Sequence, residues 1–235
     1  MIGLSPSAAV VVDIVTAATA PSDVVAAFDA LARGEAFLLR TVNRPQAPLL
    51  ALSEARAGAY EWTPRVEGPG HWEVEVHKRD ARPGVLRGVA EALGWDHDRL
   101  GALEAAAMEA WGGGETRAAA SLHLRFVFGL LRHIRFEESV LFPEFERVSG
   151  MPADRGPTAV MRVEHRTIEA LLADMRDAAA RGVRPAGPTS ADVRAVLHLH
   201  NVKEENVLYP MLDRALDPRE SDALVFRFQA MDPPQ

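Results

Sequence analysis

Two segments of the chain are alike over fifteen residues without a gap, HIRFEESVLFPEFER at residues 133–147 and HNVKEENVLYPMLDR at residues 200–214. Seven of the fifteen aligned positions are identical, and the segments lie 67 residues apart. Upstream of each, DHDRLGAL at residues 96–103 aligns with EHRTIEAL at residues 164–171, 68 residues later. Because an internal repeat constrains the architecture more strongly than a single motif, we take a pair of helices as the unit that occurs twice.

The composition around these repeats favours four long helices. From about Pro83 onward the β-branched runs stop, and Ala, Leu, Glu and Arg dominate. Glycine and proline break this pattern at residues 112–114, 150–157 and 181–188. We therefore predict an up-down four-helix bundle for residues 81–235, which ends in a short extra helix that begins near Pro218.

The histidines of the two repeats are placed at matched heights in such a bundle. Residues that are equally far from an antiparallel turn lie side by side. The midpoint of His97 and His133 falls beside the triple glycine, and that of His165 and His200 falls at the start of the last break. We therefore expect all four imidazoles to lie near one level of the bundle core.

Each repeat also contains His-x-x-x-Glu, in which Glu137 follows His133 and Glu204 follows His200. A spacing of four residues rotates a helix by only about 40° beyond one full turn, so each Glu points to the same side as its His. Four imidazoles and two carboxylates suit iron, manganese or zinc, and six ligands are too many for one tetrahedral zinc. Two metal ions bridged by both carboxylates would use all six and would neutralise the buried charges.

The overall composition excludes several other classes of protein. A net charge of −7 argues against a nucleic-acid partner, and the absence of cysteine excludes disulfides, thiolate nucleophiles and cysteine-ligated clusters. No apolar run approaches the roughly 20 residues that a membrane span needs. The apolar N-terminus lacks the positive charges of a signal peptide and is interrupted by Asp13. We therefore expect a cytoplasmic protein without a membrane or nucleic-acid partner.

The first third of the chain alternates short strands with helices. The pattern predicts a small β-α-β-α-β-β sandwich of the α+β class over residues 1–80, with its boundary in the charged stretch 78–84. Its predicted strands and helices, in chain order, cover residues 10–14, 21–31, 35–42, 48–57, 60–66 and 71–76.

In the residues of the repeat, the second domain resembles the bacterial hemerythrin-like family, whose members carry His-x-x-x-Glu on the second and fourth helices and a lone His on the first and third. The resemblance covers roughly residues 85–215. It implies a non-heme di-iron site with an oxo or hydroxo bridge, with manganese or zinc as alternatives. Carried over by position, the ligands are His97 and His133 on one iron, His165 and His200 on the other, and Glu137 and Glu204 as bridges.

One position departs from that family pattern. Oxygen-carrying hemerythrins have an extra histidine one turn before the third-helix ligand, where this chain has Met161. Fewer protein ligands leave the metals more open, which favours reaction with nitric oxide, peroxide or oxygen over reversible oxygen storage. A further candidate ligand is Glu169, and the candidates for residues that surround the ligands are Glu138, Glu205, Met161, Phe142 and Tyr209.

The first domain resembles a small domain of unknown function that is found ahead of hemerythrin-like domains, and it is similar to the TusA-like sulfur carriers. The similarity rests on Phe28-Asp29-Ala30-Leu31 and Glu67-Gly68-Pro69-Gly70. Those carriers need a cysteine just before the proline that opens the first helix, where this chain has Ala20. Thiol-based sulfur transfer is therefore excluded, and we expect a regulatory, docking or dimerising role.

These features together predict a metal-binding protein that binds or senses oxygen, nitric oxide or a related small oxidant. The sequence shows no motif for a general base, a substrate pocket or a cofactor beside the ligands, which favours binding over catalysis. The alternatives are a di-iron peroxidase, oxidase or nitric oxide reductase, an iron-donating repair protein and an iron-storage protein. The expected partners are a diatomic or peroxide ligand and, through the first domain, another protein or a second copy.

Overall fold

The structure is a computed structural model that describes residues 14–15, 20–56, 58–79 and 86–231, without the side chains of 14–15 and 187–191. Its contacts divide the chain into two compact units, Met1–Arg82 and Pro83–Gln235. Most of the first predicted strand and most of the predicted domain boundary lie outside the described residues. Among the described helices, none is long and apolar enough to cross a membrane.

The first unit has the predicted order of elements around a four-stranded sheet with strand order β1-β2-β4-β3. The first two strands are parallel, and the other neighbours are antiparallel. The elements are β1 (Ile14–Val15), α1 (Pro21–Ala30), β2 (Ala36–Thr41), α2 (Gln46–Arg56), β3 (Tyr60–Val66) and β4 (Trp72–Lys78).

Strand alternation gives this sheet one apolar face. Val74 and Val76 of β4 are fully buried and belong to the apolar cluster that also contains Phe28 of α1 and Leu52 of α2. Because successive side chains of a strand point to opposite faces, the helices cover only the face that carries these residues.

The second unit has four long antiparallel helical rods and a short final helix, as the repeat predicts. The first and third rods are single helices, and the second and fourth are composite rods that each contain two helices. The elements are α3 (Val89–Gly112), α4 (Thr116–Phe136), α5 (Phe142–Ser149), α6 (Pro157–Ala180), α7 (Gly187–Lys203), α8 (Tyr209–Ala215) and α9 (Pro218–Ala230).

The composite rods pass through a π turn ahead of their prolines. These turns, Glu137–Leu141 and Glu204–Leu208, join α4 to α5 and α7 to α8. The backbone N–H of Phe142 donates to the carbonyl of Glu137, and that of Tyr209 donates to the carbonyl of Glu204, each five residues back. A proline inside a helix removes one backbone hydrogen bond, and the wider turn is the form that this interruption takes here.

The final helix packs against one end of the bundle. Leu224 and Phe228 of α9 are buried in an apolar cluster with Phe136, Phe142 and residues of α8, whereas Phe226 is 63% exposed. A capping box at Asp217 starts this helix directly after the repeat. The helix thus covers the bundle with one face and leaves the other open.

Candidate metal centre

Six predicted ligand side chains from all four rods meet in the bundle core. Each is at most 8% exposed. The two carboxylates stand at the first residues of the two π turns, so the wider turn sets their direction into the core. Ligand atoms lie within 4.8 Å of one another in two overlapping groups, Glu137, His165, His200 and Glu204 in one, and His97, His133 and Glu204 in the other.

Each carboxylate directs one oxygen to each pair of histidines. Glu204 Oε1 lies 3.0 Å from His200 Nε2, and its Oε2 lies 3.5 Å from His97 Nε2. Glu137 Oε2 lies 3.2 Å from His165 Nε2, and its Oε1 lies 3.8 Å from the Nε2 of His133. The two groups are therefore adjacent, share Glu204, and have Glu137 between their histidines.

Every ligand-type imidazole has a carboxylate behind it. Because a carboxylate only accepts hydrogen bonds, each Nδ1 carries the hydrogen and each Nε2 faces the cluster. The four Nδ1···O distances are 3.0 Å from His133 to Asp96, 2.8 Å from His165 to Glu138, 3.0 Å from His200 to Glu164 and 2.7 Å from His97 to Glu205.

Two of these four carboxylates were missed by the sequence analysis. Glu138 and Glu205 were candidates, and the structure places both beside an imidazole of the other repeat. Asp96 and Glu164 were not candidates, although each directly precedes a repeat histidine. The signal that could have found them is this acidic residue before the lone histidine in both copies.

The inner side of the cluster has more acceptors than hydrogens. Glu137 Oε2 and Glu204 Oε1 are buried and have no hydrogen-bond donor among the described residues. Burial and the negative charge of Glu137 raise the pKa of Glu204 well above its usual range. Burial lowers the pKa of His165, but the neighbouring carboxylates of Glu137 and Glu138 outweigh this and raise it to about 10. The cluster therefore binds positive charge, as a proton or as a metal ion.

Aromatic side chains enclose the cluster. The ring of Phe142 is stacked on His165 with centroids 5.4 Å apart, and Phe228 of α9 meets His133 edge-on at 5.6 Å. Tyr209 is fully buried with its hydroxyl among the ligands, and Met161 lies in the adjoining apolar cluster. The structure thus places Phe142 and Tyr209 beside the ligands and Met161 in the apolar cluster that adjoins them.

Glu169 is not brought into the cluster. It is exposed on α6 and belongs to neither ligand group. The inward positions of that part of α6 are Ile168 and Leu172, which are fully buried, so the rotation of the helix turns Glu169 to its outer side. The additional ligand predicted there receives no support.

Two family matches agree with these features. The family described as hemerythrin HHE cation binding domain matches residues 90–212, and the family described as uncharacterized conserved protein (DUF2249) matches residues 19–78. The comparisons with curated proteins and with solved structures gave no match. Since the first match covers more than half of the chain and contains the whole histidine and glutamate cluster, this metal-binding chain belongs to the hemerythrin HHE cation-binding domain family.

Proposed function

We propose that the cluster holds two iron ions and that this pair binds or senses oxygen, nitric oxide or peroxide. The observation that carries the proposal is the division of each carboxylate between two pairs of imidazoles. Family membership supports iron, although manganese and zinc accept the same ligand types. The proposed ligands are His97 and His133 on one ion, His165 and His200 on the other, and Glu137 and Glu204 between the two ions.

A non-heme iron pair supplies a redox-active Lewis acid to which a small molecule can coordinate. The chain contributes the orientation of the ligands, because the carboxylates behind the imidazoles fix each ring with Nε2 inward. Met161 stands where oxygen carriers of the family have a further histidine, and a thioether there leaves a coordination position to an exogenous ligand.

The surroundings of the cluster favour a small ligand over a charged organic substrate. Phe142, Met161 and Phe228 are at most 3% exposed and present apolar atoms. Among the described residues close to the ligands, the charged groups are already paired with imidazoles or arginines. Binding or sensing of a diatomic molecule or peroxide therefore fits this core better than turnover of a larger substrate.

The first test is the metal content of the purified full-length chain, together with its visible absorption before and after reduction and exposure to oxygen, nitric oxide or peroxide. We expect about two irons per chain and oxo-bridged di-iron bands that change on reduction. His200→Gln should lose iron, whereas His198→Gln, an exposed histidine on the same helix, should keep it. Zinc alone, or one metal per chain, would refute the proposal.

The same samples separate sensing from catalysis. A binding or sensing protein takes up about one equivalent of ligand per iron pair and then stops. Continued consumption of peroxide or nitric oxide with an added reductant would show a di-iron enzyme in place of a sensor.

A further inference from the structure

Equivalent positions of the two repeats differ by a single hydroxyl group beside the cluster. Phe142 and Tyr209 align in the repeat, and each is the first residue after its π turn. Phe142 stacks on His165, and the Tyr209 ring lies 6.0 Å from that of His97. The two aromatic rings therefore occupy matching places, and only the second carries an oxygen.

That oxygen lies among three of the proposed ligand atoms. The Tyr209 hydroxyl is 2.6 Å from Glu137 Oε1, 3.1 Å from Glu204 Oε2 and 3.3 Å from His133 Nε2. The side chain is fully buried. Its oxygen therefore faces the same inner space as the ligand group of His97, His133 and Glu204.

With both carboxylates ionised, there are fewer hydrogens than hydrogen-bond acceptors around the Tyr209 oxygen. His133 donates its Nδ1 hydrogen to Asp96, so its Nε2 is an acceptor, and both carboxylate oxygens are acceptors. The hydroxyl has one hydrogen to share among three acceptors. The remaining contacts bring lone pairs together, and a cation among these atoms removes that conflict.

We propose that the Tyr209 oxygen is a ligand of the metal ion held by His97 and His133, so that the two metal positions have different ligand sets. The inference rests on the proposed iron pair. When iron(III) binds there, the phenol O–H bond breaks, the oxygen–iron bond forms and the proton leaves to water, with no change of oxidation state. The position beside His165 and His200 has Phe142 instead, whose ring carries no ligand atom.

The small number of tyrosines allows the spectroscopic signal of this ligand to be assigned to one residue. The chain has two tyrosines, Tyr209 and Tyr60, and Tyr60 lies on β3 in the first unit. Resonance Raman spectra of the full-length iron(III) protein should show the ring modes of an iron-bound tyrosinate. Those modes should vanish in Tyr209→Phe and persist in Tyr60→Phe, with all samples loaded in excess iron and their iron content measured.

A second measurement does not depend on the folding of any variant. In wild-type protein made with ring-deuterated tyrosine, the same Raman modes should shift in frequency. About two irons per chain without tyrosinate modes, or modes that survive Tyr209→Phe, would overturn the ligand role and leave Tyr209 a hydrogen-bond donor to Glu137. A wild-type chain without iron would instead overturn the proposed function itself.

Discussion

The two repeats orient their imidazoles alike but support them differently. In the first repeat Asp96 is fully buried behind His133 and accepts from Arg99 at 2.7 Å and from Arg132 at 3.1 Å. In the second repeat Glu164 stands behind His200 with its side chain 24% exposed, and its cationic partner is Lys203, which is 40% exposed. One half of the site is thus held by a buried ion network and the other by an ion pair near the surface.

The difference shows that the ligand residues of the repeat are constrained more tightly than the residues that support them. Burial raises the pKa of Asp96, but the positive charges of Arg99 and Arg132 outweigh it and hold this pKa well below its usual range. The buried carboxylate therefore stays ionised and accepts the His133 hydrogen at 3.0 Å. The ligand types are the same in both halves, whereas the groups that support them have diverged.

The largest effect is expected for the carboxylate that both halves share. Glu204 belongs to both ligand groups, so Glu204→Gln should remove most of the iron from both positions. Elemental analysis after iron loading measures this loss, with Glu169→Gln, an exposed glutamate of α6, as the matched control.

The melting temperature of the metal-free Glu204→Gln variant tests whether iron is lost without unfolding of the chain. Glu204 is a buried carboxylate whose pKa is raised by burial and by Glu137, so its neutral replacement should not lower the melting temperature of the metal-free chain. Full iron content in Glu204→Gln would mean that the two halves bind metal independently.

The next largest effect contrasts the supporting carboxylates. Asp96→Asn breaks a buried ion pair with Arg99 and Arg132 and should lower the free energy of unfolding by about 3–5 kcal/mol. It should also weaken iron binding by about 10–100-fold, because His133 loses its orienting acceptor. Urea unfolding and iron titration of the full-length chain measure both effects.

Glu164→Gln is the matched change in the other half. Its ion pair with Lys203 is partly exposed, so the free energy of unfolding should fall by less than about 1 kcal/mol. Equal losses in the two variants would show that burial does not distinguish the two halves.

The sequence predicted those features that depend on spacing along one helix or strand. Matched positions of His97, His133, His165 and His200 follow from their distances to the turns, and the structure brings these residues together. The strands and helices of the first unit follow from alternation and from Pro21, which starts α1. Short-range patterns suffice here because burial of one face imposes a period of 2 or 3.6 residues.

The missed features depend on contacts between distant segments. Asp213 accepts from the backbone N–H groups of Val89 and Ala90, at 2.8 and 3.0 Å, and thereby caps a helix that begins after Gly88. Gly88 has φ +107° and a Cβ there would lie 3.0 Å from this carboxylate, so glycine allows the approach. Such pairings depend on how the helices rotate and cross, which no local pattern records.

The last expected effect depends on pH and concerns a buried histidine of the bundle that has no supporting carboxylate among the described residues. His123 on α4 is fully buried, and its Nδ1 accepts from Trp111 Nε1 at 2.9 Å. Burial lowers the pKa of His123 to about 4. Protonation is therefore harder in the folded than in the unfolded chain, and stability is lost as the pH falls from about 6.5 to 4.

A shift of that size corresponds to about 3 kcal/mol in the free energy of unfolding of the metal-free chain. Urea unfolding at pH 7 and pH 4 should show that wild type loses this much more stability than His123→Gln, since other titrating groups are common to both proteins. His198→Gln, which removes an exposed histidine, should follow wild type. Parallel losses in His123→Gln and wild type would show that His123 does not account for the acid sensitivity.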